Sequence, residues 1–176
     1  MKRMLLVLSM LAVIATPTLA REIDGATVTL DPMNLPLGQV ELCFHVTNDS
    51  QDAEWIGYFS FLLPPCMTIV DGTDYFVDPD GTFYVDPIFT AYSGQHGAWE
   101  GWTTSGYGFM GSSDNGYFYV TVDNQCECGT TQLIHWELQG DDWGDPPHFV
   151  EGDLEVFIEC ETATESSTFS ILKALY

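Results

Sequence analysis

Basic side chains are almost missing from this chain: four Lys and Arg stand against 26 Asp and Glu among 176 residues, a formal net charge of −22. Lys2 and Arg3 fall in an N-terminal leader, so a chain beginning at Arg21 keeps only Arg21 and Lys173 and carries 2 − 26 = −24. So anionic a surface repels phosphate backbones and anionic lipid, which argues against nucleic-acid and membrane-surface partners. It also concentrates cations wherever carboxylates converge, calcium above all. Long apolar runs are missing as well: outside the leader nothing approaches the roughly 20 residues of a spanning helix, so the mature chain is expected to be soluble. No CxxC pair, GxSxG elbow, HExxH helix or phosphate-cradling glycine loop occurs, and no segment before the tail holds a helical period over three turns.

What is present begins with an export signal. Met1, Lys2 and Arg3 form a positive start, residues 4–14 form an apolar run too short to cross a bilayer, and Thr16, Pro17, Thr18, Leu19 and Ala20 supply a break and small residues for cleavage. Residues 1–20 therefore read as a signal peptide, 21–160 as one domain, and 161–176 as a polar spacer with an apolar C-terminal tail. With 45% hydrophobic and 14% aromatic residues the domain can bury a real core.

Val40, Leu42, Phe44 and Val46 alternate with Glu41, Cys43, His45 and Thr47 before the turn-prone Asn48, Asp49 and Ser50, the pattern of a half-buried strand and its stop. Similar short runs occur at 26–30, 55–63, 67–70, 82–85, 117–122, 131–138 and 154–159, punctuated by Gly, Pro, Asp or Asn. This predicts an all-β, antiparallel two-sheet β-sandwich, immunoglobulin-like or jelly-roll-like, with a closed barrel as the alternative. The glycine-rich stretch 92–119 is the least regular and reads as loop or bent edge strand.

Cys43, Cys66, Cys126, Cys128 and Cys160 all lie in the exported part, where disulfides are the default. Two bridges and one odd thiol are expected. Cys126 and Cys128 are too close for easy mutual pairing, so at least one of them should reach Cys43, Cys66 or Cys160.

Two acidic stretches are candidate calcium sites. Asp71, Asp74, Asp78, Asp80 and Asp86 lie in one turn-rich segment, where Asp78-Pro79-Asp80-Gly81-Thr82 offers alternate carboxylates, although Phe89 stands where an EF-hand needs its twelfth-position glutamate. Asp141, Asp142 and Asp145 follow the run 131–138, with Trp143 and His148 beside them as ligand-binding candidates. The structural alternative for both stretches is Asx and Pro-Asp-Gly turns. Trp99, Trp102, Tyr107 and Phe109, in the glycine-rich stretch, could stack on sugar rings or fill the end of the sandwich. The four histidines, His45, His96, His135 and His148, are scattered, which favours structural roles over general-base catalysis.

The leader, the strands at 40–48 and 55–64, and the Ser/Thr spacer ahead of the apolar segment 169–176 resemble bacterial secreted immunoglobulin-like surface modules, without the antibody-type Cys…Trp…Cys spacing. That resemblance implies a part of an adhesin, envelope structure or appendage outside the cell. The expectation is thus a secreted, non-enzymatic structural or adhesive module, calcium-stabilised, whose partners are other surface proteins or its own copies through a sheet edge or the C-terminal tail. A calcium-assisted carbohydrate-binding module is the alternative, and adaptation to brine is another source of acidity.

Overall fold

The computed structural model describes Ile23 and residues 25–50, 53–70, 76–143 and 148–160. The leader and the tail 161–176 lie outside the described residues, as do Asp71, Asp74 and Asp145. Eleven strands and no helix are found among the described residues: β1 Thr27–Asp31, β2 Asn34–Leu35, β3 Gly38–Thr47, β4 Ile56–Leu62, β5 Met67–Ile69, β6 Phe76–Val77, β7 Ile88–Ala91, β8 His96–Glu100, β9 Asn115–Asn124, β10 Thr131–Gly140 and β11 Phe149–Ile158. They form the expected sandwich, not a closed barrel. One sheet runs β1-β3-β9-β5, with β6 also on β9, and the other runs β2-β11-β10-β4-β8-β7. All pairs are antiparallel except the two-residue contact of β2 with β11.

Period-two alternation builds the core. Leu42, Phe44 and Val46 of β3 and Phe118, Val120 and Val122 of β9 point inward, as do Phe59 and Phe61 of β4, Trp99 of β8, and Ile134, Trp136 and Leu138 of β10. Phe44 stacks on Phe61 at 5.0 Å, and Trp99 stacks on Phe59 at 5.5 Å, so aromatic rings from both sheets interlock.

Two expectations are corrected. The run 82–85 is loop, because the Asp78 carboxylate takes the Gly81 and Phe83 amides (2.9 and 2.7 Å), leaving that backbone a side-chain partner in place of a ladder. The stretch 92–119 is not merely irregular: it contains β8, an inner strand between β4 and β7. Gly97 explains why glycine sits in such a strand, since a Cβ there would come within 2.7 Å of the Phe61 ring and 2.9 Å of Phe89.

The expected pairing of cysteines is met twice. Cys66 bonds Cys126 and Cys128 bonds Cys160, each with Cα atoms 4.8 Å apart, so the two neighbours leave in different directions and Cys43 is the odd thiol.

Candidate partner-binding face

Cross-strand register arranges the outer face of the six-stranded sheet into rows. Phe149, Gln139, Tyr58, Glu100 and Ile88 form one row from β11 to β7. Glu151, Glu137, Ser60, Ala98 and Thr90 form the next, and Asp153, His135, Leu62 and His96 the third. Small Ser60 and Ala98, both buried, lie between the larger side chains of the flanking rows. A shallow recess of about 150 Å³ opens here, lined by Ser60, Leu62, His96, His135 and Glu137. Tyr58, in the first row, is hydrogen-bonded to the Ser60 side chain, and burial raises its phenol above the ordinary range.

Charge on this face is one-signed. Glu137 and Glu151 are direct cross-strand partners, and Asp153 and Glu155 continue the acidic line along β11. Like charges placed opposite one another in a sheet are destabilising. No Lys or Arg occurs between residues 22 and 172, so nothing among the described residues but histidine can answer them. His135 is the histidine beside them, with Nδ1 3.0 Å from Asp153 Oδ1 and Nε2 3.7 Å from Glu151 Oε2, pairs that carry charge only when the ring is protonated. Large apolar side chains surround the acids: Phe149 is 52% exposed, Phe157 44%, Leu133 52% and Leu62 48%. Acidic residues on the exposed flank of β11 also discourage edge-to-edge aggregation, but Glu137 sits on an inner strand, where that explanation does not reach.

The residues singled out from sequence do not converge. Trp99 is fully buried against Phe44, Phe59, Phe61 and Phe118, so it fills the core and offers no stacking surface. Trp102 does reach the outer face, its indole N–H donating to Glu100 Oε1 at 2.8 Å, and it walls a recess of about 400 Å³ with Asp86, Ile88 and Thr90. Trp143 is exposed at the end of the sandwich. Asp78 spends both carboxylate oxygens on its own turn, and Asp80 is exposed. Asp141 accepts the amides of Trp55 (3.4 Å) and Trp143 (3.3 Å), and burial lifts its carboxyl above the usual range against those bonds. Asp142 holds a left-handed turn, at φ 60°. Among the described residues no group of three or more His, Cys, Asp or Glu is placed to hold a metal ion.

His148 answers a buried acid that sequence reasoning missed. Its Nδ1 lies 2.9 Å from Oε1 of Glu54, whose side chain is wholly buried against the backbone of Gly140, where no side chain would fit. Asn48, also buried, donates to the Glu54 and Met110 carbonyls (2.9 and 3.2 Å). This polar knot ties Glu54 to β10 and to His148, the residue ahead of β11. His45 stacks on Tyr117 at 4.4 Å, a structural contact. Cys43 is half-buried, and burial pushes its thiol up, which keeps it protonated and weakly nucleophilic at neutral pH.

Sequence reasoning also missed the Glu137–Glu151 pair and the meeting of Tyr107, one of its stacking candidates, with the half-buried Trp55 and the exposed Tyr84. Alternation along 131–138 places Glu137 outward, but its partner follows only from the strand register. The aromatics come from three separate connections, which no sequence spacing links.

No protein-family model and no curated protein matches the sequence. Among solved structures the fold is similar to the sixth cohesin of Acetivibrio cellulolyticus scaffoldin B, solved in complex with a dockerin, at TM-score 0.49 and 10% identity over 78% of this chain and 99% of that one. The collagen-binding subdomain ACE19 of the Enterococcus faecalis surface protein ACE gives 0.47 at 8% identity, covering 76% and 96%. The major pilin subunit BcpA of Bacillus cereus gives 0.43 at 10% identity, covering 76% of this chain and 39% of that chain. The likeness in each case is one of fold.

Proposed function

We propose that this chain is a non-enzymatic extracellular recognition module, adhesive or structural, that binds a basic protein surface through the outer face of its six-stranded sheet. The observation that carries the reading is Glu137 held opposite Glu151 on an inner strand pair in a chain with no Lys or Arg from 22 to 172. Such an arrangement costs stability in the isolated domain and is relieved when a partner brings the missing cations. Phe149, Phe157, Leu133 and Leu62 supply the apolar area that charge alone lacks. Two disulfides suit an oxidising location outside the cell. A non-enzymatic role agrees with a protonated Cys43 and with histidines engaged by Tyr117, Tyr92, Asp153 and Glu54.

Calcium enters this reading as a stabiliser of the acidic sequence stretches that contain Asp71, Asp74 and Asp145, supported by the net charge. The binding test is selection of a random displayed peptide library on the immobilised domain. Selected peptides should carry Lys or Arg beside apolar residues and lose binding to Glu137→Lys and Glu151→Lys variants. Binders without basic residues, or indifferent to both substitutions, would refute the assignment of this face.

A further inference from the structure

A second surface lies at one end of the sandwich. Trp55 packs against Tyr84 with ring centroids 4.0 Å apart and against Tyr107 at 5.1 Å, so the connections before β4, after β6 and after β8 each contribute one ring. Tyr84 is 62% exposed and Tyr107 43%. Beneath them the half-buried Phe83, which also lines the recess, lies 5.4 Å from the fully buried Phe109, so the outer rings form a second layer over the core. Beside them opens a recess of about 530 Å³, lined by Trp55, Tyr84, Thr82, Ser112 and Asp114 over Gly111. Its polar side is organised in advance: Asp114 accepts the Thr82 hydroxyl at 2.7 Å through Oδ1 and the Gly111 amide at 3.1 Å through Oδ2.

We infer that this recess binds a neutral carbohydrate. Flat aromatic faces suit the C–H faces of sugar rings, while a fixed carboxylate and hydroxyls suit sugar hydroxyl groups. The volume falls within the usual range for small-ligand sites. Charge decides the class of sugar, because a recess holding Asp114 in a chain of net charge −22 opposes uronates and sulfated glycans. The site is separate from the sheet face of the proposed function and stands or falls without it.

The test is affinity electrophoresis of the folded domain through gels containing soluble neutral polysaccharides (a β-glucan, a xylan, a mannan, a galactan) and, in parallel, polygalacturonate. Retardation by at least one neutral polymer and none by polygalacturonate is expected. Tyr84→Ala, which removes a wall of the recess, should weaken the retardation about tenfold, equivalent to roughly 1.4 kcal/mol, and Tyr107→Ala, which removes the ring backing Trp55, should weaken it less. Asp114→Asn should weaken it too, with melting temperature and circular dichroism confirming that each variant is folded. Should one tyrosine variant fail to fold, the other carries the test, since the two rings leave from different connections. No retardation by any neutral polymer, binding to polygalacturonate, or retention in the Tyr84→Ala/Tyr107→Ala double variant overturns the inference.

Discussion

The substitution Glu137→Gln separates stability from binding more cleanly than any other on this molecule. It removes one of two cross-strand charges while keeping side-chain length, and among the described residues no hydrogen bond of the Glu137 side chain stands in the way. Glu151 Oε2 lies 3.7 Å from His135 Nε2. Taking roughly 7 Å between the two carboxylates and a water-like dielectric, their repulsion is about 0.6 kcal/mol, rising to about 1 kcal/mol where the sheet surface lowers the dielectric. For a domain of this size that corresponds to a rise in melting temperature of about 1–4 °C. Differential scanning calorimetry at about 10 mM and about 500 mM NaCl tests the cause, because the Debye length contracts from about 30 Å to only a few ångström and the gain should shrink accordingly. The same variant should bind the selected basic peptides more weakly. A variant that melts lower at both salt concentrations would show that Glu137 is satisfied within the fold, and the proposed reason for this face would fail.

The remaining predictions concern the frame around that face. Replacing Cys66 and Cys126 together by Ala reopens a loop of 60-residue separation, for which chain entropy gives a loss of about 4 kcal/mol and a fall in melting temperature of about 8–16 °C; an unchanged melting curve would deny the bridge. Burial raises the Asp141 carboxyl in the folded state, so the native protein binds this proton more tightly than the unfolded chain, and the stability it contributes is present in acid and lost as pH rises through its folded-state value. Asp141→Asn retains an acceptor for the Trp55 and Trp143 amides, so the variant should gain on the parent between about pH 4 and pH 7, and a melting-temperature difference that is flat with pH would contradict this. If calcium stabilises the Asp-rich connections, millimolar Ca²⁺ against chelator should raise the melting temperature by several degrees, since about 100-fold excess over the dissociation constant is worth about 2.7 kcal/mol. An identical curve with and without the ion removes calcium from the proposal, and the same rise with NaCl alone would favour salt adaptation.

The sequence by itself determined the strands whose side chains alternate by burial. Runs such as 40–46, 117–122 and 131–138 carry their inward and outward faces in every second residue, and the cysteine count with the Cys126-Glu127-Cys128 spacing required a bridge to a distant strand. It could not reveal β8, because Gly97 and Ala98 blur the alternation, and the need for glycine there comes from two rings on neighbouring strands. Nor could it choose between core and ligand for its tryptophans: Trp99 and Trp102 differ by three positions, yet one is sealed among phenylalanines and the other reaches the surface. Burial along a strand is a local property of period two, whereas the opposition of Glu137 to Glu151 and the meeting of Trp55, Tyr84 and Tyr107 depend on strand register and on connections far apart in the chain, which only the packed sheets specify.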